Sequence, residues 1–310
     1  MTIREPTPDD LPALVAIINT DVVKPYTPET FAERTQDMRQ QSGVFSQVVL
    51  DDGHRLAGTA LLTSAPLTTE DLDLLLIVAP DACERGYGSA LLTHICDTAR
   101  ALGARRLETS VRDTRPAVRD WAERRGFAFQ LHRFESTLDL TAFDDTAHAD
   151  LDGRLAHVGV TLQDMGTLGR DEANWTRLYS FFADRDQETP DKQGMPRLTV
   201  EQTQHMLRMN PAVQPEWIVL ATRGEDWLGM SVVAGHPRGA YNYFTGVAPD
   251  ARGLGLARAL KVEAIRRARA AGFTDMWTHN LSTNAPMLAV NRRLGFTSLP
   301  GLWVMRRTVA

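Results

Sequence analysis

The residues best suited to chemistry gather around the stretch Val247-Ala-Pro-Asp-Ala-Arg252-Gly253-Leu254-Gly255-Leu256-Ala257. Pro249 and Asp250 end a strand that begins at Tyr241 and is rich in aromatic and β-branched residues. From Leu254 onward Leu256, Leu260, Ala264 and Ile265 recur at helical spacing, so Gly253 and Gly255 stand where a helix opens. The first N–H groups of a helix have no intrahelical partner and face the positive end of its dipole. With only small residues in front of them, they can form a cradle for a pyrophosphate, although a Gly-x-Gly at a helix start is more often only a tight turn. Ahead of the turn, Tyr241, Tyr243 and Thr245 share strand parity with Val247 and so lean toward one face. His236 ends the preceding strand and His279 lies on the following one. Tyr241, Tyr243 and His279 are the candidates for moving a proton; a structural or solvated histidine is the ordinary alternative.

The first half carries a second copy, Val78-Ala-Pro-Asp-Ala-Cys83-Glu-Arg-Gly86-Tyr-Gly88. A constant offset of 169 residues, with no gap, carries Val78 onto Val247, Gly86 onto Gly255, Gly103 onto Gly272 and Gly126-Phe127 onto Gly295-Phe296. A period this long points to duplicated domains, since solenoid units are far shorter. The copies differ where it matters: Arg252 corresponds to Cys83, Asn284 to Arg115 and Asn291 to Ala122.

The run Arg252-x-x-Gly255-x-Ala257 resembles the acyl-CoA signature of the GNAT (Gcn5-related N-acetyltransferase) superfamily. Asn284-x-x-Met287-x-x-x-Asn291-x-x-Leu294-Gly295-Phe296 resembles that family's fourth-helix segment. The resemblance implies an α/β protein with mixed sheets, built as two tandem GNAT-like domains, with acetyl-CoA as cofactor. It implies that Val247, Arg252, Gly253, Leu254, Gly255, Leu256 and Ala257 hold the cofactor, with Asn284 and Asn291 completing the contacts. Read on their own terms, Asn284 is also a helix N-cap before Ala285-Pro286, and a buried Asn291 needs a hydrogen-bond partner of some kind. The implied reaction is direct attack of a small-molecule primary amine on the thioester, its carbonyl polarised by backbone N–H groups near Val247. Tyr241 lies where some relatives carry a catalytic Glu. Many relatives place a Tyr acid four residues before the Gly-Phe, whereas this chain has Asn291, which cannot donate a proton in that way. The second half keeps the cofactor equipment and is expected to be the working module, the first half a degenerate one. Two other readings fit the same residues: a specialised tandem enzyme such as mycothiol synthase, whose acceptor is a cysteinyl pseudodisaccharide, or an inactive acyl-CoA-binding scaffold.

A chain of 310 residues is long enough for two cores. Each half reads as β-α-α-β-β-β-α-β-α-β, giving expected domains at 1–140 and 157–310 joined by an acidic linker over 141–156. Leu72 to Val78 is nearly continuous in apolar residues and is expected to be a central strand buried on both faces. A net charge of −5 argues against a general nucleic-acid binder. Cys83 and Cys96 are too few for a disulfide framework or a cysteine zinc site, and no metal is expected. No apolar run approaches the roughly 18 residues of a membrane span, and the start lacks a signal-peptide core, so the expected location is cytoplasmic. The acceptor is expected near the loop Asp184–Pro196, whose Asp184, Asp186, Glu188 and Asp191 can attract a cationic amine or can simply be solvated. The oligomeric state is left open.

Overall fold

The computed structural model describes residues 1–22, 24–64, 70–192 and 195–309. They divide into two compact units, one of Met1–Gln130 with Leu302–Ala310 and one of Leu131–Gly301. In the first unit β1 (Thr2–Arg4), α1 (Leu11–Ile18) and α2 (Pro28–Gln41) precede the antiparallel run β2 (Phe45–Asp51), β3 (Leu56–Thr63) and β4 (Asp71–Val78). The chain continues through α3 (Tyr87–Ala101), β5 (Arg106–Arg112) and α4 (Pro116–Glu123) into β6 (Ala128–Asp139). Thr27 starts α2 by accepting a hydrogen bond from the Thr30 N–H, with Pro28 in the first helical position. The β2–β3 turn closes because Asp52 Oδ1 accepts from the His54 and Arg55 N–H groups.

Strands β4 and β5 run parallel but pair only from Asp71↔Arg106 to Leu74↔Thr109. Beyond that point they part. The apolar run Leu72–Val78 is therefore not buried on both faces as expected. Leu72 and Leu74 are in the core, while Leu75, Leu76 and Val78 are only part-buried and line a cavity.

In the second unit come α5 (Asp150–His157), β7 (Thr161–Asp164), α6 (Met165–Leu168), α7 (Glu172–Gln187) and α8 (Val200–Leu207). They are followed by β8 (Ile218–Arg223), β9 (Asp226–His236), β10 (Gly239–Val247), α9 (Leu256–Ala270), β11 (Asp275–Leu281), α10 (Ala285–Arg293) and β12 (Thr297–Ser298). The last strand, β13 (Leu302–Thr308), belongs to the first unit. Strand order is β1-β2-β3-β4-β5-β13 in the first unit and β6-β11-β10-β9-β8-β7 in the second, with β12 on β6. The repeat is visible in the backbone: α3 and α9, and likewise β5 and β11, occupy ranges that differ by the same 169 residues as the sequence copies.

The closing strands are exchanged. Strand β13 pairs antiparallel with β5 from Leu302↔Arg112 to Thr308↔Arg106, and β6 pairs with β11 from Leu281↔Arg133 to Asp275↔Asp139. The boundaries 1–140 and 157–310 are corrected accordingly. Met305 and Val309 pack in the first unit's core, and Leu138 and Leu140 in the second's. The stretch 141–156 is not a bare linker either: Leu151 and Leu155 are one helical turn apart on α5 and are buried with Phe143 and Val160. Met305→Ala should therefore destabilise the protein by about 2–4 kcal/mol through cavity formation. Urea unfolding would measure it, and a change below about half a kcal/mol would show that β13 does not hold this core.

Among the described residues, no helix is long and apolar enough to cross a membrane, and no cluster of three or more His, Cys, Asp or Glu side chains is placed to hold a metal.

Candidate active site

The glycine turn of the second unit has the geometry its sequence requires. Gly253 and Gly255 both have φ of +81°, the left-handed region that other residues enter at a cost. Gly255 is the N-cap of α9, and a Cβ built on either glycine meets nothing within 4 Å. The space in front of the first N–H groups of α9 is thus open. Leu256 turns its side chain into the core, so it can offer a ligand only its main chain, whereas Leu254 is exposed. Arg252 donates from Nε to the Val247 carbonyl at 3.3 Å and from Nη2 to Glu188 at 2.5 Å. Asn284 caps α10, its Oδ1 accepting from the Met287 N–H at 3.3 Å.

Behind the turn, β10 and β11 pair only at Ala240↔Met276 and Tyr241↔Trp277, then separate. Two hydrogen-bonded groups of buried polar side chains include Asn242 of β10 and Asn280 of β11. Lys261 Nζ donates to Asn242 Oδ1 at 2.5 Å, and Asn242 Nδ2 donates to Ser231 Oγ at 3.0 Å. Asn291 Nδ2 donates to Asn280 Oδ1 at 2.7 Å, and Asn280 Nδ2 donates to Ser136 Oγ at 2.9 Å. The Asn291 Oδ1 is buried with no partner. A buried acceptor left unmade costs free energy, and an amide N–H of a bound cofactor would satisfy it. Burial alone pulls the Lys261 amine down to about 7. Sequence reasoning passed over Lys261, although its position shares a helix face with Ala257, Ala264 and Ile265, which carries a signal.

The matching place in the first unit is different. A cavity of about 520 Å³ opens between β4 and β5, lined by Leu76, Val78, Leu92, Val111, Trp121 and Ala122 among others. At the repeat offset, Leu92 corresponds to Lys261, Val111 to Asn280 and Ala122 to Asn291, so an apolar cleft stands where the second unit is polar. The turn keeps its shape, with Gly86 at φ +84° as N-cap of α3 and Glu84 at φ +65° in the place of Gly253. The shape survives while a carboxylate replaces a glycine.

The proton-moving candidates are partly brought together. Tyr241 Oη lies 2.8 Å from His279 Nδ1, and Tyr241 stacks on Trp277 with ring centroids 4.1 Å apart. The hydroxyl is pushed up to about 12, mainly by burial and then by Tyr243 and Glu135. His279 is shifted below its ordinary value, chiefly by burial. Tyr243 does not join the pair; its ring lies parallel to Phe182 beside Asp186, and burial raises its hydroxyl. The parity expected to join Tyr241, Tyr243 and Thr245 to Val247 splits, with Thr245 and Val247 on the α9 side and the two tyrosines on the other. A bulge between Asn242 and Phe244 shifts the register, so Tyr241, Tyr243 and Phe244 pack toward α7 while Thr245 bonds Ser231 and Asn242. His236 packs edge-on to Trp277 and is outside the hydrogen-bonded pair. In the acidic loop, Asp184 is held by Arg197 and Glu188 by Arg185 and Arg252, while Asp186 is raised by burial. Gln193 and Gly194 of that loop lie outside the described residues.

A helix-opening glycine turn beside two separating parallel strands, present twice, defines a tandem acyl-CoA N-acyltransferase fold. Residues 11–127 and 175–296 both match the model of the acetyltransferase (GNAT) family, and the chain belongs to that family. The expected fold class and enzyme class hold: this is a tandem GNAT acetyltransferase, from a family that uses acetyl-CoA. The chain is 28% identical over 236 residues to a mycothiol acetyltransferase of Geodermatophilus obscurus, covering 74% of this chain and 71% of that protein. It is 26% identical over 260 residues to one of Cellulomonas flavigena, covering 80% and 70%. In fold it is similar to a GCN5-related N-acetyltransferase from Sphaerobacter thermophilus, with a TM-score of 0.67 at 18% identity over 99% of this chain and 95% of that one. A tandem GNAT protein from the clavulanic acid biosynthesis pathway gives 0.60 at 19% identity over 100% and 98%.

Proposed function

We propose that the second unit transfers an acetyl group from acetyl-CoA to a primary amine of a small molecule, with Tyr241 and His279 accepting the amine's proton. The observation that carries this reading is the 2.8 Å Tyr241–His279 contact, placed where β10 and β11 begin to separate. Acetyl-CoA, when bound, supplies the thioester that the amine attacks. The amides of the Gly253–Ala257 turn would hold the diphosphate, and Asn291 Oδ1, buried without a partner, would accept from a cofactor amide. The bulge leaves Tyr243 without a cross-strand partner on β9, and main-chain N–H groups of β10 near Val247 would polarise the thioester carbonyl. Tyr241 is too basic in its ionised form to stand deprotonated near neutral pH. Its hydroxyl therefore relays: it takes the amine's proton as it gives its own to His279 Nδ1. Asn291 offers no acid, and a thiolate leaves without one. Asp186, whose charge acts on Tyr243, is our candidate for drawing in a cationic acceptor.

Tyr241→Phe keeps the stack on Trp277 and removes the relay, so kcat should fall by about 100-fold while the acetyl-CoA Kd stays within about twofold. The assay is CoA release with an amine panel that includes a cysteinyl pseudodisaccharide, the acceptor type favoured by the mycothiol relatives. Activity within about threefold of the parent would remove Tyr241 from the reaction.

The open cleft of the first unit supports a second reading, in which a cofactor binds there as well. Calorimetric titration with CoA would then give two sites per chain rather than one.

A further inference from the structure

We infer that Glu135 is a positioning residue of this acetyltransferase, selecting through His279 the imidazole form whose Nδ1 accepts the Tyr241 hydroxyl proton. The inference rests on the transfer reading above.

In strand register, Glu135 on β6 is the residue directly opposite His279 on β11. Its Oε1 lies 3.5 Å from His279 Nε2, and Tyr241 Oη lies 2.8 Å from Nδ1 at the other side of the ring. A neutral imidazole carries one proton, on one nitrogen or the other. A carboxylate facing Nε2 favours the proton there, which leaves Nδ1 as a bare acceptor aimed at Tyr241. Without that carboxylate the opposite form competes, in which Nδ1–H donates to Tyr241 and can accept nothing from it.

Glu135 is itself held in place. Arg238 reaches both its oxygens, at 2.9 and 3.5 Å, and lies over the Trp277 ring at 4.8 Å. The ring on which Tyr241 stacks thus also braces the arginine that fixes Glu135. The charged and titratable groups facing His279 are Glu135 and Arg133 from β6, Arg238 from the β9–β10 turn and Tyr241 from β10. Glu135 favours the imidazolium, whereas both arginines and burial disfavour it.

Proton flow stays balanced. When the amine forms its bond to the acetyl carbon, its proton passes to Tyr241 Oη and the hydroxyl proton passes to Nδ1. His279 is then an imidazolium paired with Glu135, which remains ionised and never carries the proton. The proton returns to water through the half-exposed imidazole.

Glu135→Gln preserves size and removes the charge. It should lower kcat by about tenfold and move the acidic limb of the kcat/KM profile to lower pH by about half a unit or more. The sign follows from the carboxylate's effect: Glu135 raises the His279 value, so its loss lowers the pH at which the imidazole gains a proton. Acetyl-CoA Kd and the thermal midpoint should not change. A fall in kcat with an unmoved acidic limb would mean that Glu135 acts through structure alone, and an unchanged kcat would overturn the inference. Tyr241→Phe, run beside it, separates the levels: if that variant is fully active, the relay itself fails; if it is inactive while the Glu135→Gln profile stays in place, only this inference fails.

Discussion

Replacing Lys261 with methionine should stabilise the protein at pH 7 and flatten its stability profile between about pH 7 and pH 10.5. Lys261 is 2% exposed on the inward face of α9, with its amine on Asn242 Oδ1 and 5.0 Å above the Phe296 ring. Burial lowers the amine from 10.5 to about 7 in the folded state. Across that window the unfolded chain holds a proton that the folded chain does not, so stability rises with pH. Below about pH 7 the full cost of a buried ammonium is present, on the order of a few kcal/mol. Methionine has nearly the same length and no charge. The matched position of the first unit is filled by buried Leu92, so the fold accepts an apolar side chain there. Asn242 Oδ1 keeps a partner in Thr245 Oγ1 at 3.3 Å. Urea unfolding at pH 6, 8 and 9.5 measures the difference, since all other groups titrate alike in both proteins. Parallel curves would show that the Lys261 amine keeps its ordinary proton affinity when folded.

The second large effect is expected at Gly255. Gly255→Glu should reduce kcat/KM for acetyl-CoA by more than about 100-fold. At φ +81° a side chain costs roughly 1–2 kcal/mol of backbone energy. The carboxylate would also enter the open space before the α9 N–H groups and repel the diphosphate they attract. The matched change Gly86→Glu has the same backbone cost, at φ +84°, but falls on a turn that already carries Glu84. It should cost turnover less than about fivefold and, on the two-site reading, remove one CoA per chain. The reverse ranking would move the chemistry to the first unit.

Much of this protein was legible in its amino-acid order. Left-handed glycines, helical spacing of apolar residues and capping side chains are local features, and they specified the turn, the element order and the duplication. Asn284 was readable as a cap for the same reason. Tertiary structure alone decided which strand closes which sheet. Strands β6 and β13 are repeat-equivalent closing strands, and the choice depends on which core receives Leu138 and Leu140 and which receives Met305 and Val309. The bulge that reverses Thr245, the parting strands that turn Leu75 to Val78 into a cleft wall, and the cross-strand meeting of Glu135 with His279 are likewise set by pairing register. Register joins residues of different strands, in the case of Glu135 and His279 more than a hundred positions apart, and no spacing within either segment encodes it.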